Sequence, residues 1–188
     1  MGWYALFVQS GKEEWIRSEL HKKFGNSQLE CLIPKRTIPE KKNGRYCDVT
    51  KKMFPGYILL HIQMDFPTYY KINQIPMIYR LLNYHNLNLA KIHYDFQAPL
   101  EQQEAYFKAI PDEEVAQILK LIGPDETLGY SSVLIENSKV IVKSGPLKDM
   151  ESIIKKIDKH KKRAKIMVRL FEKEVMFDVG LEILYGSL

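Results

Sequence analysis

Apolar positions along the chain switch between two periods, and the switches mark the expected elements. Trp3 to Gln9 is a compact, aromatic-rich apolar run, the pattern of a buried strand. Ser10-Gly-Lys-Glu13 has the spacing of a capping box, in which the Ser oxygen accepts from the Glu13 amide and Glu13 reaches back. Ile16, Leu20 and Phe24 then recur every four residues and, with Trp15, predict the apolar face of a helix. Lys22 and Lys23 complement its dipole, and Gly25-Asn26 predicts its end. Leu29 to Ile33 reads as a strand. Residues 34–43, with two prolines and several lysines, read as an exposed loop or hairpin arm, with 45–50 as its return strand. Phe54-Pro55-Gly56-Tyr57 leads into Ile58 to Ile62, apolar on both faces at its start and therefore central in a sheet. A short helix over 66–73 and a short strand over 78–82 follow. Residues 83–99 show no period and read as irregular, and 101–108 read as a helix.

Val115, Ile118, Leu119 and Ile122 form an i, i+3, i+4, i+7 stripe, so a helix opens at Pro111-Asp112 and stops at Gly123-Pro124, with Glu113 and Glu114 favouring its start. The pattern changes after residues 123–129. Short strand-like runs at 133–135, 139–143, 150–157, 163–171 and 175–179, separated by turn or charged residues, predict a small barrel. The fold class expected is α+β: an N-terminal α/β sandwich over residues 1–122, a linker at 123–130, and a β-barrel domain over 131–188.

Composition adds limits. Apolar residues are 45% and charged residues 27% of the 188, which suffices for packed cores and excludes wholesale disorder. No apolar run reaches the roughly 20 residues that span a bilayer. The first eight residues lack a charged region and do not read as a secretory signal. Two cysteines are too few for a disulfide framework. A cytoplasmic protein without membrane contact is the expectation.

Charge changes the picture more. The net +5 is uneven: residues 129–188 hold 12 basic and 8 acidic side chains, so most of the excess lies in the last third. Lys155 to Lys165 contains Lys155, Lys156, Lys159, Lys161, Lys162, Arg163 and Lys165 against Asp158 alone. Ile157 to Ile166, apolar at both ends with charge between, predicts a hairpin loop between barrel strands. Its cations suit phosphate contacts, and His160 suits stacking on a base. A second basic stretch spans 35–52. Either stretch read alone is equally well a solvated loop.

Catalytic chemistry finds no support. No His pairs with a second ligand at metal spacing, and no phosphate loop or nucleophile elbow occurs. Cys31 and Cys47 read as small apolar residues rather than nucleophiles. No enzyme, cofactor or metal site is expected, and a binding protein is favoured. Phe54, Pro55 and Tyr57 then stand out as aromatics at the mouth of a strand, either lining a pocket for a partner's helix or belonging to the core.

Taken in order, these blocks resemble the NusG family of transcription elongation factors. Trp3-Tyr4-Ala5-Leu6 with the following helix, Leu32-Ile33-Pro34, Met53 to Leu60 and Ile110 to Leu119 resemble successive parts of its N-terminal (NGN) domain. Lys139 to Ser152, with the Ser-Gly-Pro-Leu turn, resembles the KOW motif of its C-terminal barrel. Residues 64–98 match loosely. The resemblance implies that Tyr4, Phe54, Pro55 and Tyr57 line an apolar cavity for the clamp helices of the RNA polymerase large subunit. It implies a further contact with the opposite gate of the cleft, closing the clamp and suppressing pausing. Glu151-Ser152 departs from the Gly usual in the KOW pattern. Ile157 to Ala164 and Val179 to Ile183 are more similar to the LoaP-type paralogues, processive antiterminators of selected operons. That likeness implies a nascent RNA hairpin as ligand, bound through Lys155, Lys156, Lys159, His160, Lys161, Lys162, Arg163 and Lys165. A monomer is expected. The alternatives are a general NusG-like factor coupling polymerase to Rho or to a ribosomal protein, and a KOW-type RNA-binding protein without a polymerase role.

Overall fold

The computed structural model describes residues 1–82, 99, 106–136 and 139–184. They fall into two packed units: Met1–Ile33 with Phe54–Asp112, and Pro34–Met53 with Glu113–Leu188. The units do not follow the expected segments 1–122 and 131–188, because the basic arm and the last helix pack with the β-rich part.

The first unit holds β1 (Gly2–Val8), α1 (Glu13–Phe24), β2 (Glu30–Leu32), β5 (Tyr57–Ile62), α2 (Phe66–Asn73) and β6 (Ile78–Leu81). Its antiparallel sheet has the order β2-β5-β1-β6, so β5 is central as its two-faced apolar start predicts. Side chains alternate faces along a strand. Tyr4, Leu6 and Val8 therefore share one face with Ile58, Leu60 and Ile62, and meet Ile16 and Leu20 of α1 and Phe66 and Ile72 of α2 in one core. Fully burying each such aliphatic side chain is worth about 1.5–3 kcal/mol. Trp3, Ala5 and Phe7 take the opposite face, across from His61, Leu59 and Tyr57.

Two expectations for α1 fail. No Ser10 capping box forms: the helix starts at Glu13, the N-cap is Lys12, and no side chain caps it. The Glu13 carboxylate instead accepts from the Gly56 amide at 2.8 Å, since a buried carboxylate gains more from an orphan buried donor than from a solvated helix end. Trp15 lies off the apolar face, at 42% exposure. The Gly25 ending holds, with φ 74° and its N–H donating to the His21 carbonyl. The expected helix over 101–108 lies mostly outside the described residues, as does all but residue 99 of the irregular segment.

The second unit begins with a hairpin, β3 (Lys35–Lys42) and β4 (Arg45–Lys52), so the basic arm is two paired strands. Asn43 and Gly44 join them with φ of 49° and 80°. Two positive φ values define the type I′ turn whose twist matches paired strands. The short β7 (Thr127–Leu128) pairs in parallel with Lys35 and Arg36. The segment read as a linker is thus anchored, and Leu128 is fully buried. β8 (Ser131–Glu136), β9 (Lys139–Ser144), β10 (Ile154–Asp158), β11 (Arg163–Leu170) and β12 (Lys173–Leu184) form a five-stranded sheet of order β10-β11-β12-β8-β9. The expected strand over 150–157 begins as a 3-10 turn at Glu151–Ile153. Ala164, Ile166, Val168 and Leu170 point inward, and the alternate positions of β11 point out. The Ser-Gly-Pro turn is tightly fitted. Gly145 has φ 93°, and a Cβ there would stand 2.5 Å from the Tyr130 carbonyl oxygen. Ser131, fully buried, accepts from the Leu147 amide at 3.0 Å.

The last helix, α3 (Asp112–Leu121), buries Glu114, Val115, Ile118 and Leu121. Leu119, placed on the stripe by its spacing, is 41% exposed. Glu114 replaces it because its carboxylate has partners in the same unit: Arg169 Nε at 3.4 Å and the Glu172 amide at 3.3 Å. Among the described residues, no helix is long and apolar enough to cross a membrane. The observed architecture is an N-terminal α/β unit and a C-terminal β-rich unit, the α+β class expected.

Candidate functional site

The Phe54 to Tyr57 segment is a type II turn written directly in sequence. Pro55 supplies φ near −65° at the second position, and Gly56 adopts φ 81° at the third. The Tyr57 amide closes the turn on the Phe54 carbonyl at 3.1 Å. The Gly56 carbonyl accepts from Val8 at 2.8 Å, and Glu13 takes its N–H. The last two contacts hold the turn against β1 and α1 within one unit. The sheet face it borders is aromatic. Tyr57 packs on Phe7 with centroids 5.4 Å apart, and Phe7 packs on Tyr79 at 5.2 Å. Arg80 sits 5.9 Å from the Phe7 ring centre.

The expected polymerase-binding residues separate here. Pro55 is exposed and Tyr57 half-buried. Tyr4, at 4% exposure, belongs to the core, and Phe54 is buried at 7%. Phe7, Met77 and Tyr79 carry accessible apolar surface in their place, Tyr79 at 58%. Alternation along β1 is the signal for this: Phe7, not Tyr4, shares a face with Tyr57.

The second candidate surface lies on the β-rich unit. The turn between β10 and β11 is residues 159–162, fastened by Asp158, whose carboxylate accepts the Lys161 amide at 2.9 Å. That hydrogen bond, with the nearby cations, holds the Asp158 carboxyl below its ordinary pKa. Lys159, His160, Lys161 and Lys162 are all exposed. Lys155, Lys156 and Lys165 are exposed on the flanking strands, where Lys156 and Lys165 stand directly opposite each other. Like charges so placed oppose folding. A cleft of 180 Å³ is lined by Lys156, Asp158, Lys161, Arg163, Lys165 and Asp178.

Arg163 differs from its neighbours. Its Nε donates to the Pro39 carbonyl at 3.0 Å, and a terminal nitrogen donates there too. Glu40 and Asp178 stand at 3.9 and 3.7 Å. Pro39 lies opposite Asp48 of β4, and Arg163 supplies the donor that its carbonyl accepts. Arg163 thus clamps the β3–β4 hairpin to the sheet. Tyr130 helps, donating to Asp48 at 2.6 Å. Burial first, then the Asp48 carboxylate, push the Tyr130 phenol well above its ordinary pKa. Gly180 permits the close approach, because a Cβ there would lie 2.8 Å from the Thr37 carbonyl oxygen. Arg36 lies over the Phe177 ring at 5.0 Å, and burial lowers its pKa. Seven of the eight expected RNA-binding residues are therefore exposed, and the eighth is a structural clamp. The sequence did not single out Tyr46, which the hairpin holds against His160 and Lys162. The Asn-Gly pair at 43–44 was the signal for that hairpin.

Among the described residues, no group of three or more His, Cys, Asp or Glu side chains is placed to hold a metal ion.

The family model described as transcription termination factor NusG matches residues 1–119. The transcription termination/antitermination protein NusG of Bacillus subtilis is 28% identical, covering 92% of this chain and 90% of its own length. NusG of Rickettsia prowazekii is 25% identical, over 95% of this chain and 86% of its own. Among solved structures, NusG of Thermotoga maritima shares the fold with a TM-score of 0.50 at 18% identity, covering 95% of this chain and 93% of that one. A model that matches more than half the chain, with relatives aligned over more than nine-tenths of it, settles the family: this protein belongs to the NusG family of transcription termination and antitermination factors.

Proposed function

We propose that this NusG-family protein is a specialised antiterminator of the LoaP type. Its N-terminal domain, read as residues 1–122, binds RNA polymerase at the clamp helices of the large subunit. Its KOW domain, read as 131–188, binds a hairpin in the nascent RNA, and the bound complex reads through terminators in selected operons. The surface offered to polymerase is the exposed part of the aromatic face, Pro55 and Tyr57 extended by Phe7 and Tyr79. Phe54 and Tyr4 support it from within, so their role is to hold the turn and the sheet.

One observation carries the RNA reading: Lys156 and Lys165 face each other beside a turn of four exposed residues, three of them lysines. This crowding opposes folding in the free protein and is relieved by a polyanion. A general factor, coupling polymerase to Rho or the ribosome through this domain, does not require such a cationic turn and is the second reading.

Transcription in vitro through an intrinsic terminator tests the proposal. The full chain is expected to raise read-through on a template whose leader encodes a recognised hairpin, and Tyr57→Ala is expected to lose it while remaining folded by circular dichroism. Equal read-through with and without the protein on such templates sinks the antiterminator role. Binding to polymerase with no binding to any RNA leaves the general-factor reading.

A further inference from the structure

The two basic stretches are separate in sequence but adjacent in the β-rich unit, and an exposed aromatic ring lies between them. Tyr46, on β4 near the hairpin tip, is 48% exposed. Its hydroxyl donates to the His160 carbonyl oxygen at 2.7 Å, across 114 residues of chain. The Lys162 ammonium sits 5.9 Å from its ring centre. Lys41 is its partner across the hairpin ladder and so shares its face. Both cations are exposed. No core needs this ring, and its hydroxyl anchor removes much of its freedom before any ligand arrives.

We infer that the hairpin tip and the β10–β11 turn form one RNA-binding surface, in which the Tyr46 ring stacks on an unpaired base while Lys41 and Lys162 contact the flanking phosphates. This deepens the RNA reading above and rests on it. Sequence-specific RNA recognition uses splayed bases stacked on aromatic rings, with cations following the backbone. A ring already polarised by an ammonium group and pinned at its far end is preorganised for that task. The ligand class is therefore an RNA stem-loop with an unpaired loop base, rather than a plain duplex.

The experiment uses the full chain and a fluorescein-labelled RNA stem-loop with an adenosine-rich loop, read by anisotropy at several salt concentrations. Tyr46→Trp should bind as tightly as the unchanged protein. Tyr46→Phe, which loses the His160 bond but keeps the ring, should bind within about threefold. Tyr46→Leu keeps apolar bulk but cannot stack. It should lose roughly five- to hundredfold, the span of a stacking contact, with an unchanged salt slope because no charge is removed. Lys41→Ala with Lys162→Ala should lower that slope by about 0.7–0.9 per contact. Melting curves on each variant separate binding loss from unfolding. Should Tyr46→Leu lower the melting temperature, the Trp and Phe variants decide, since both keep a ring and only one keeps a donor. If Tyr46→Leu binds as the unchanged protein does, or if a duplex without a loop binds equally well, this inference is overturned while the RNA reading stands. If the unchanged protein binds no RNA even at low salt, both fall.

Discussion

Two four-residue turns, Phe54–Tyr57 and Lys159–Lys162, show how similar local geometry serves opposite chemistry. Each reverses the chain with a positive φ, at Gly56 in one and at Lys162 in the other. The first is fastened from inside: a buried carboxylate, Glu13, and the Val8 amide hold its backbone, and its side chains extend an aromatic sheet face. The second is fastened from outside by Asp158, with its cations in water. Buried hydrogen bonds to charged groups are worth about 1.5–3 kcal/mol, whereas exposed ion pairs are worth about 0–1. The aromatic turn should therefore be rigid and sensitive to mutation, and the cationic turn tolerant in stability yet sensitive in binding.

Each half of that contrast can be broken. Replacing Lys159, Lys161 and Lys162 together with Ala should weaken binding of an RNA stem-loop by about a hundredfold and lower the salt slope by roughly two. Chemical unfolding of this variant should shift by less than about 1 kcal/mol in total. A large stability loss would mean the cationic turn is structural after all. Glu13→Ala should cost about 2 kcal/mol in urea unfolding, because it leaves the buried Gly56 donor unpaired. It should weaken polymerase binding without touching RNA binding. Arg163→Ala should cost roughly 1.5–3 kcal/mol by orphaning the Pro39 carbonyl, and its loss of RNA affinity should exceed that of a single lysine, because the hairpin comes loose. Gly56→Ala should cost about 1–2 kcal/mol, since its left-handed φ strains any side chain and a Cβ would meet the Val8 carbonyl at 3.3 Å. Lys162→Gly is the smallest effect. It relieves φ 51° and should stabilise by a few tenths of a kcal/mol to about 1 kcal/mol, read in thermal melts.

The sequence disclosed what depends on neighbours within a few residues. Period two placed the strands, and a spacing of three and four placed the helices. Pro-Gly marked the type II turn at 55–56, and the cation run between apolar ends marked the β10–β11 hairpin. Glu13 was misread because its spacing from Ser10 matches a local cap, while its partner is 43 residues away. Tyr4 and Phe54 illustrate a different limit. Their positions beside the turn are visible in the chain, but exposure depends on which face the sheet turns toward α1 and α2.

What the chain alone determined is therefore the identity of its elements, their order and the two chemistries it displays, one aromatic and one cationic. Tertiary structure decided which cations are free. Arg163 and Lys162 are neighbours with the same charge, yet one is bound to a carbonyl 124 residues away and the other is exposed beside the Tyr46 ring. It also decided that the hairpin at 35–52 packs with the β-rich unit, joining two basic stretches around Tyr46. The physical reason is range. Backbone geometry and alternation are set by steric and hydrogen-bonding choices within a turn or two. The partner of a buried donor, acceptor or ring is chosen only when distant strands pack together and water is excluded.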